Sequence, residues 1–362
     1  MIAGSSLYRL PIYNQMAKDI NCDFYVSADD PQMGIVTYDC KDLLNFKGQL
    51  GLEKRILGNF TWIRGMVSLF FKPYDIFIIG GPYGLPGWIM LVLSKFSKKK
   101  VASWSHGMYG KETGLRKYIK TVFYKLCDLN FVYNERALQL MKDCGIKPDK
   151  NVCVYNSLDT DKDLVIRNKL SIQNYYQDLF KNDLPNIIFV GRITSVKRLD
   201  LVIKSMKLLR DRNKPVNFLL VGKDVENINL HELVKECGLE KNVHFYGPCY
   251  DDEILGNLFY NAAVCVSPGN VGLTAMSAMS FGCPVISHND FAEQMPEFEA
   301  IKSGKTGDFF AKDNIEDLSN KIEMWVSKTL AQREEVRKNC FEEIDSRWNI
   351  YSESNAFKKA LM

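Results

Sequence analysis

One stretch of the chain concentrates residues that could grip a doubly charged anion. In Ile187-Ile188-Phe189-Val190-Gly191-Arg192-Ile193-Thr194-Ser195-Val196-Lys197-Arg198 an apolar run ends in a glycine and an arginine, and a lysine follows shortly after. A strand of that kind, buried in a parallel sheet, delivers Gly191 and Arg192 to its C-terminal end, where open α/β sheets bind ligands. A helix carrying Lys197 is expected to begin within one turn. Arg192 can fork onto phosphate oxygens and Lys197 can add a point charge, a pairing suited to a diphosphate. Ordinary solvated bases at a strand end would look the same, so the pattern alone leaves both readings open.

A second stretch repeats the logic. Ala263-Val264-Cys265-Val266-Ser267-Pro268-Gly269-Asn270-Val271-Gly272-Leu273-Thr274-Ala275-Met276 reads as strand, glycine turn and helix. Backbone N–H groups near Gly272 and Leu273 could approach an anion there, favoured by the helix dipole. Three look-alikes are set aside. Gly304-Lys305-Thr306 resembles the end of a P-loop without its upstream glycine or strand, and Asp159-Thr160-Asp161 has acidic spacing but falls in an expected linker. Gly80-Gly81-Pro82-Tyr83-Gly84 lacks the dinucleotide spacing.

These stretches need a scaffold. Apolar runs alternate with helical patterns from Asp75 onward, the signature of βαβ units and parallel sheets. Strands are predicted over 76–79, 101–104, 129–133, 152–155, 187–190, 217–221, 243–246, 263–267 and 284–287. A polar stretch over 161–169 divides the series, giving an N-terminal domain over 1–165, a C-terminal domain over 185–345 and a last amphipathic helix over 347–362. Residues 1–6 run straight into a helical pattern, so the usual first strand is expected to be absent or a stub, as in a shortened start.

Composition bounds the function. With 362 residues, 46% hydrophobic and 25% charged, the chain is long enough for two or three cores and is neither disordered nor fibrous. Ten cysteines stand as singletons without CxxC spacing, and four histidines lie apart, so they read as buried thiols in a reducing, cytoplasmic setting, with no Cys/His metal cage. Residues 76–94 lack charge, but their glycines and prolines argue for strand, loop and helix rather than a membrane span. The net charge of +4 is too weak, and recognition motifs too absent, for nucleic acid. Lys95, Lys98, Lys99, Lys100, Arg116, Lys117, Lys120 and Lys125, among Leu115, Tyr118, Ile119, Val122 and Phe123, fit either a solvated helix face or a peripheral contact with anionic membrane.

The order of these elements resembles glycosyltransferase family 4. The resemblance rests on GRIxxxKR at 191–198, Val221-Gly222, Val243-His244-Phe245-Tyr246-Gly247, the run Gly272–Ile286, and Pro296-Glu297 followed by Gly304-Lys305-Thr306-Gly307. It covers residues 186–312 well, and the N-terminal half chiefly through Ser105-His106-Gly107 and Tyr155-Asn156-Ser157-Leu158-Asp159. It implies an α/β fold of the GT-B kind, with two Rossmann-like doubly wound domains facing across a cleft and a C-terminal crossover helix. It also implies a retaining transfer from a nucleotide sugar of UDP or GDP type to a glycan or lipid-linked acceptor, without a metal or other cofactor, in cell-surface polysaccharide assembly at the inner face of the plasma membrane.

The same resemblance casts His106, Arg192 and Lys197 as catalytic, and Gly191, Arg192, Lys197, Gly222, Tyr246, Asn270, Gly272, Leu273, Thr274 and Ser277 as donor-binding. One departure accompanies it. Gly269 and Ser277 stand where the family usually carries two glutamates, with Asn270, Asp290, Glu293, Glu297 and Glu299 nearby as substitutes. A non-catalytic nucleotide-binding subunit and a sugar-nucleotide epimerase of the same fold are therefore alternatives.

Overall fold

The computed structural model describes residues 1–28 and 36–362. The alternation of apolar and helical patterns resolves into two α/β units: Met1–Asp159 together with Asn349–Met362, and Thr160–Trp348. Each is described by itself.

In the first unit the strands are β1 (Ile2–Ala3), β2 (Phe24–Ala28), β3 (Phe46–Leu57), β4 (Phe60–Ile63), β5 (Ile76–Ile79), β6 (Lys100–Trp104), β7 (Leu129–Val132) and β8 (Asn151–Cys153). Its helices are α1 (Leu10–Asp19), α2 (Leu85–Ser94), α3 (Gly114–Leu126) and α4 (Glu135–Asp143). The strands form two four-stranded sheets, β1-β2-β3-β4 and β5-β6-β7-β8, parallel except for the β3–β4 hairpin. The expected first strand is a stub of two residues, long enough to pair with β2 and to lie beside β5, yet too short for a ladder on both sides. Beyond that stub the sequence predicts no strand before residue 76: β3 carries Lys47, Gln49, Glu53, Lys54 and Arg55, and its outer half is exposed, so no apolar run announces it.

The second unit contains α5 (Thr160–Arg167), α6 (Tyr175–Phe180), β9 (Asn186–Val190), α7 (Leu199–Asp211), β10 (Asn217–Val221), α8 (Leu230–Glu236), β11 (Val243–Gly247) and α9 (Asp252–Asn261). It continues with β12 (Val264–Val266), α10 (Leu273–Ser280), β13 (Val285–His288), β14 (Gly307–Phe310), α11 (Ile315–Val326) and α12 (Leu330–Arg347). All six strands are parallel, in the order β11-β10-β9-β12-β13-β14. Counted from β9 this is the doubly wound order, which reverses direction between β9 and β12. The stretch expected as a polar linker is helix α5, opened by Thr160 and two aspartates at the dipole's positive end, and it belongs to this unit rather than to the first.

The last helix, α13 (Ile350–Leu361), packs on α1 in the first unit. Its Phe357 is fully buried, with ring centroids 4.3 Å from Phe131 and 4.8 Å from Trp104. Its Glu353, also fully buried, accepts a hydrogen bond from Ser157 Oγ at 2.5 Å and faces Arg9 at 3.9 Å. Arg9 in turn donates to the Tyr133 hydroxyl at 2.6 Å. On α3, Lys120 and Phe123 are buried, so the basic-aromatic surface expected over 95–125 loses both: Lys120 pairs with Glu112, and Phe123 meets Trp88 edge to face. None of the ten cysteines forms a disulfide, and five of them are only half-buried rather than core thiols.

Candidate functional site

The reversal of strand order between β9 and β12 leaves a crevice at their C-terminal ends, because the connections from the two strands run in opposite directions. Both stretches singled out for anion chemistry emerge there: Gly191–Lys197 after β9 and Ser267–Gly272 after β12. Gly191 is drawn close to Gly222 at the end of β10, where a Cβ on Gly222 would lie 1.9 Å from the Gly191 carbonyl oxygen. Thr274 Oγ1, in the first turn of α10, donates to the Val190 carbonyl at 3.0 Å and fixes that helix against β9.

Lys197 does not open a helix. It closes a 3-10 turn, Ser195–Lys197, after which Arg198 adopts a left-handed φ of 50° and α7 starts at Leu199. The turn lays the Val196–Lys197 backbone against the loop after β12. Gly269 N–H donates to the Lys197 carbonyl at 3.0 Å, and a Cβ on Gly269 would stand 1.9 Å from Val196 O and 2.6 Å from Lys197 Cα. A side chain at 269 is thus excluded by backbone contact. The Lys197 ammonium donates to Asn270 O at 2.6 Å and Asn270 Oδ1 at 2.9 Å, which fixes it beside the N-terminus of α10. Burial, and then the nearby Arg192 charge, lower its pKa to about 8, with Glu297 pulling the other way.

Gly272 caps α10 without a side-chain hydrogen bond, so the helix offers its leading N–H groups and the positive end of its dipole to that crevice. Arg192 is exposed at the same edge. The structure therefore brings together Gly191, Arg192, Lys197, Gly222, Asn270, Gly272, Leu273 and Thr274. Ser277 lies one turn further along α10 and is half-buried. Tyr246 stands apart, on edge strand β11, where burial pushes its phenol up.

Among the proposed substitutes for the glutamates, Asp290 and Glu293 both hold Lys312. Glu297 is buried, with Oε2 4.0 Å from where a Gly272 Cβ would sit. Two residues that the pattern did not single out, Gln294 and Ser287, brace the loop. Gln294 Oε1 accepts from Val271 N–H at 2.7 Å, its Nε2 donates to Ser287 Oγ at 2.9 Å, and Ser287 Oγ donates to the Gly269 carbonyl at 3.1 Å. Only the fold pairs them with the loop, so no spacing could have found them.

In the first unit His106 follows β6, its ring centroid 5.0 Å from that of Tyr133 and 5.8 Å from that of Tyr109. Its Nδ1 is buried and has no hydrogen-bond partner among the described residues. Burial, and then the Arg9 and Lys120 charges, bring its pKa down to about 4, so the ring is neutral at pH 7. The following loop is set by Glu112, which accepts from Tyr109 N–H and Gly110 N–H, both at 2.9 Å, and pairs with Lys120. No group of three or more His, Cys, Asp or Glu able to hold a metal ion occurs among the described residues.

Residues 172–343 match the family model described as Glycosyl transferases group 1. An uncharacterised glycosyltransferase of Haemophilus influenzae is 25% identical over 222 residues, covering 58% of this chain and 61% of the relative, less than two thirds of that protein's length. Among solved structures, Anabaena Alr3699/HepE in complex with UDP superposes with a TM-score of 0.74 at 14% identity, covering 99% of this chain and 98% of that one. The lipopolysaccharide outer core galactosyltransferase WaaB in its apo form gives 0.71 at 16% identity, with 99% and 98% covered. At such identities the likeness is one of fold. The chain has the two-unit Rossmann-like α/β fold of GT-B glycosyltransferases, and residues 172–343 of its second unit match the glycosyltransferase group 1 model.

Proposed function

We propose that the protein transfers a hexosyl group from a nucleoside-diphosphate sugar, of UDP or GDP type, to a glycan or lipid-linked acceptor with retention at the anomeric carbon. The observation that carries this reading is the meeting of Arg192, Lys197 and the uncapped N-terminus of α10 at the reversal of the second sheet. When the nucleoside diphosphate leaves the anomeric carbon, negative charge grows on the departing phosphate while the sugar takes on oxocarbenium character. Fixed cations and helix N–H groups aimed at that charge stabilise the transition state without reorganising. They supply the electrostatics that a divalent ion supplies elsewhere, so turnover is expected to persist in EDTA. HepE, a structural neighbour, is in complex with UDP, and this supports a UDP-type donor. Cell-surface polysaccharide assembly on the cytoplasmic side of a membrane is the setting that fits such an acceptor.

A second reading has its own support: Gly269 leaves no room for a side chain, and Lys197 is already engaged by Asn270. A subunit that binds nucleotide without transferring sugar would share these features. Thermal stabilisation by UDP, GDP, CMP and NAD, with Arg192→Ala alongside, tests the donor site. A charge-assisted contact is worth about 1.5–3 kcal/mol, so stabilisation by one nucleoside diphosphate should weaken by about tenfold or more in affinity in the variant. Slow release of that nucleotide from its sugar donor would then decide for the enzyme over the binding subunit. No stabilisation by any nucleoside diphosphate would overturn both readings.

A further inference from the structure

Helix α2, Leu-Pro-Gly-Trp-Ile-Met-Leu-Val-Leu-Ser, holds no charged residue, yet only one side of it is covered. Pro86, Gly87, Met90, Leu91 and Ser94 are buried, and a Cβ on Gly87 would come within 2.8 Å of the Ile79 side chain, so that face lies hard on the sheet. The other face repeats every three to four residues. Ile89 is 38% exposed, Val92 53% and Phe96, just past the helix, 86%. An all-apolar helix is stable in water only if both faces are covered, so this outward stripe calls for an apolar partner.

The neighbouring segments extend the stripe. Val67–Phe71 packs against α2 and ends in Phe71, 75% exposed, between two carbonyls (Phe70 and Lys72) that both accept from Lys99 Nζ. The β3–β4 hairpin lies along the start of α2, with Thr61 N–H donating to the Tyr83 carbonyl at 2.8 Å, and its tip exposes Leu57. Charge identifies the partner. Residues 54–125 carry 13 Lys and Arg against two acids, Asp75 and Glu112, and Glu112 is taken up by Lys120. Lys95, Lys98 and Lys100 are exposed around Phe96, Lys95 also reaching Asp128 at 3.8 Å and donating to the Leu126 carbonyl at 2.8 Å. A protein partner would need an apolar groove with an acidic rim of matching shape, whereas an anionic lipid surface provides an apolar interior behind negative headgroups without any such match.

We infer that the outer face of α2, with Phe71 and Phe96 as its apolar anchors and Lys95, Lys98 and Lys100 as its basic rim, docks on an anionic lipid bilayer. The helix is ten residues long, enough to lie in the interface and too short to cross it. The contact is assigned to α2; on α3, Lys120 and Phe123 face inward, while Leu115, Arg116, Lys117 and Tyr118 stay exposed. It deepens the proposed action on a lipid-linked acceptor but does not require it, since docking is read without substrate.

The test is co-sedimentation of the full chain with vesicles of phosphatidylcholine alone or containing phosphatidylglycerol. Binding is expected on the anionic vesicles, with at least tenfold weaker partitioning on phosphatidylcholine alone and a steep loss as salt rises. Val92→Asp with Phe96→Asp should lower partitioning at least tenfold, and Lys98→Glu with Lys100→Glu should do so by removing the rim. All four positions are exposed, so circular dichroism melts should match the wild type. Wild-type binding that either pair leaves unchanged, or no binding at all, would overturn the inference. So would a concentration-dependent dimer in light scattering that Val92→Asp with Phe96→Asp dissolves, because the face would then belong to a second copy. Stabilisation by UDP in the absence of vesicles reports separately on the donor site.

Discussion

The two units place their candidate chemistry by different means. In the second, the groups at the crevice other than Gly222 come from two short segments, 191–197 and 269–274, and bonds between the two loops help to fix them. In the first, His106 depends on residues scattered along the chain: Arg9 ahead of α1, Lys120 on α3, Tyr133 after β7, and, through Arg9, Glu353 on the final helix. A site made by local segments can be read as a motif. A site made by tertiary contact cannot, because its members share no spacing.

The largest expected effect breaks the first unit and spares the second. Glu353 is fully buried against Ser157 and Arg9, so Glu353→Ala would strand the Arg9 guanidinium in a low-dielectric interior. Breaking a buried pair costs about 3–5 kcal/mol, and urea unfolding should show that loss in the transition of the first unit while the second keeps its midpoint. Equal shifts in both transitions, or none, would remove the distinction drawn here.

A smaller effect is expected at Gly269→Ala. The added methyl would sit 1.9 Å from Val196 O, so the loop must move and Lys197 must leave Asn270. Overpacking of this kind costs about 1–3 kcal/mol, and UDP affinity should fall along with stability. A variant with wild-type stability and affinity would show that the contact between the two loops does not matter.

The smallest effect is electrostatic and sharpens the picture of Lys197. Because burial lowers its pKa to about 8, the ammonium is charged below that value and loses its charge as pH rises through it. A diphosphate prefers the charged form, so nucleotide affinity should decline above pH 8, and Lys197→Met should remove that decline while weakening binding at pH 7. His106, neutral down to about pH 4, should contribute no step between pH 5 and 8. An imidazole resonance lost in His106→Gln that titrates near its ordinary 6.5 in the wild type would contradict the buried, cation-flanked environment.

How much of this was legible follows the same division. The strands from residue 76 to 288 fall where apolar runs predict them, β14 (Gly307–Phe310) is not among those predicted, and the doubly wound series after 186 announces its own ligand edge. The sheet β1-β2-β3-β4 was not visible, because β1 is a two-residue stub and β3 is polar and half outside the core. Lys197 was expected on a helix; Arg198 in a left-handed conformation and the close approach of Gly269 place it on a turn instead, a matter of backbone contact that sequence alone does not reveal. The glycine at 269 reads as a loss in the sequence and as a necessity in the structure.

The claim that most needs testing is that the crevice between β9 and β12 holds the nucleoside diphosphate. Hydrogen–deuterium exchange of the wild-type chain with and without UDP addresses it directly, since exchange reports each segment in turn. Protection confined to residues 190–198 and 268–276 is the predicted result. Bound nucleotide that leaves those segments unchanged and protects the first unit alone would contradict it.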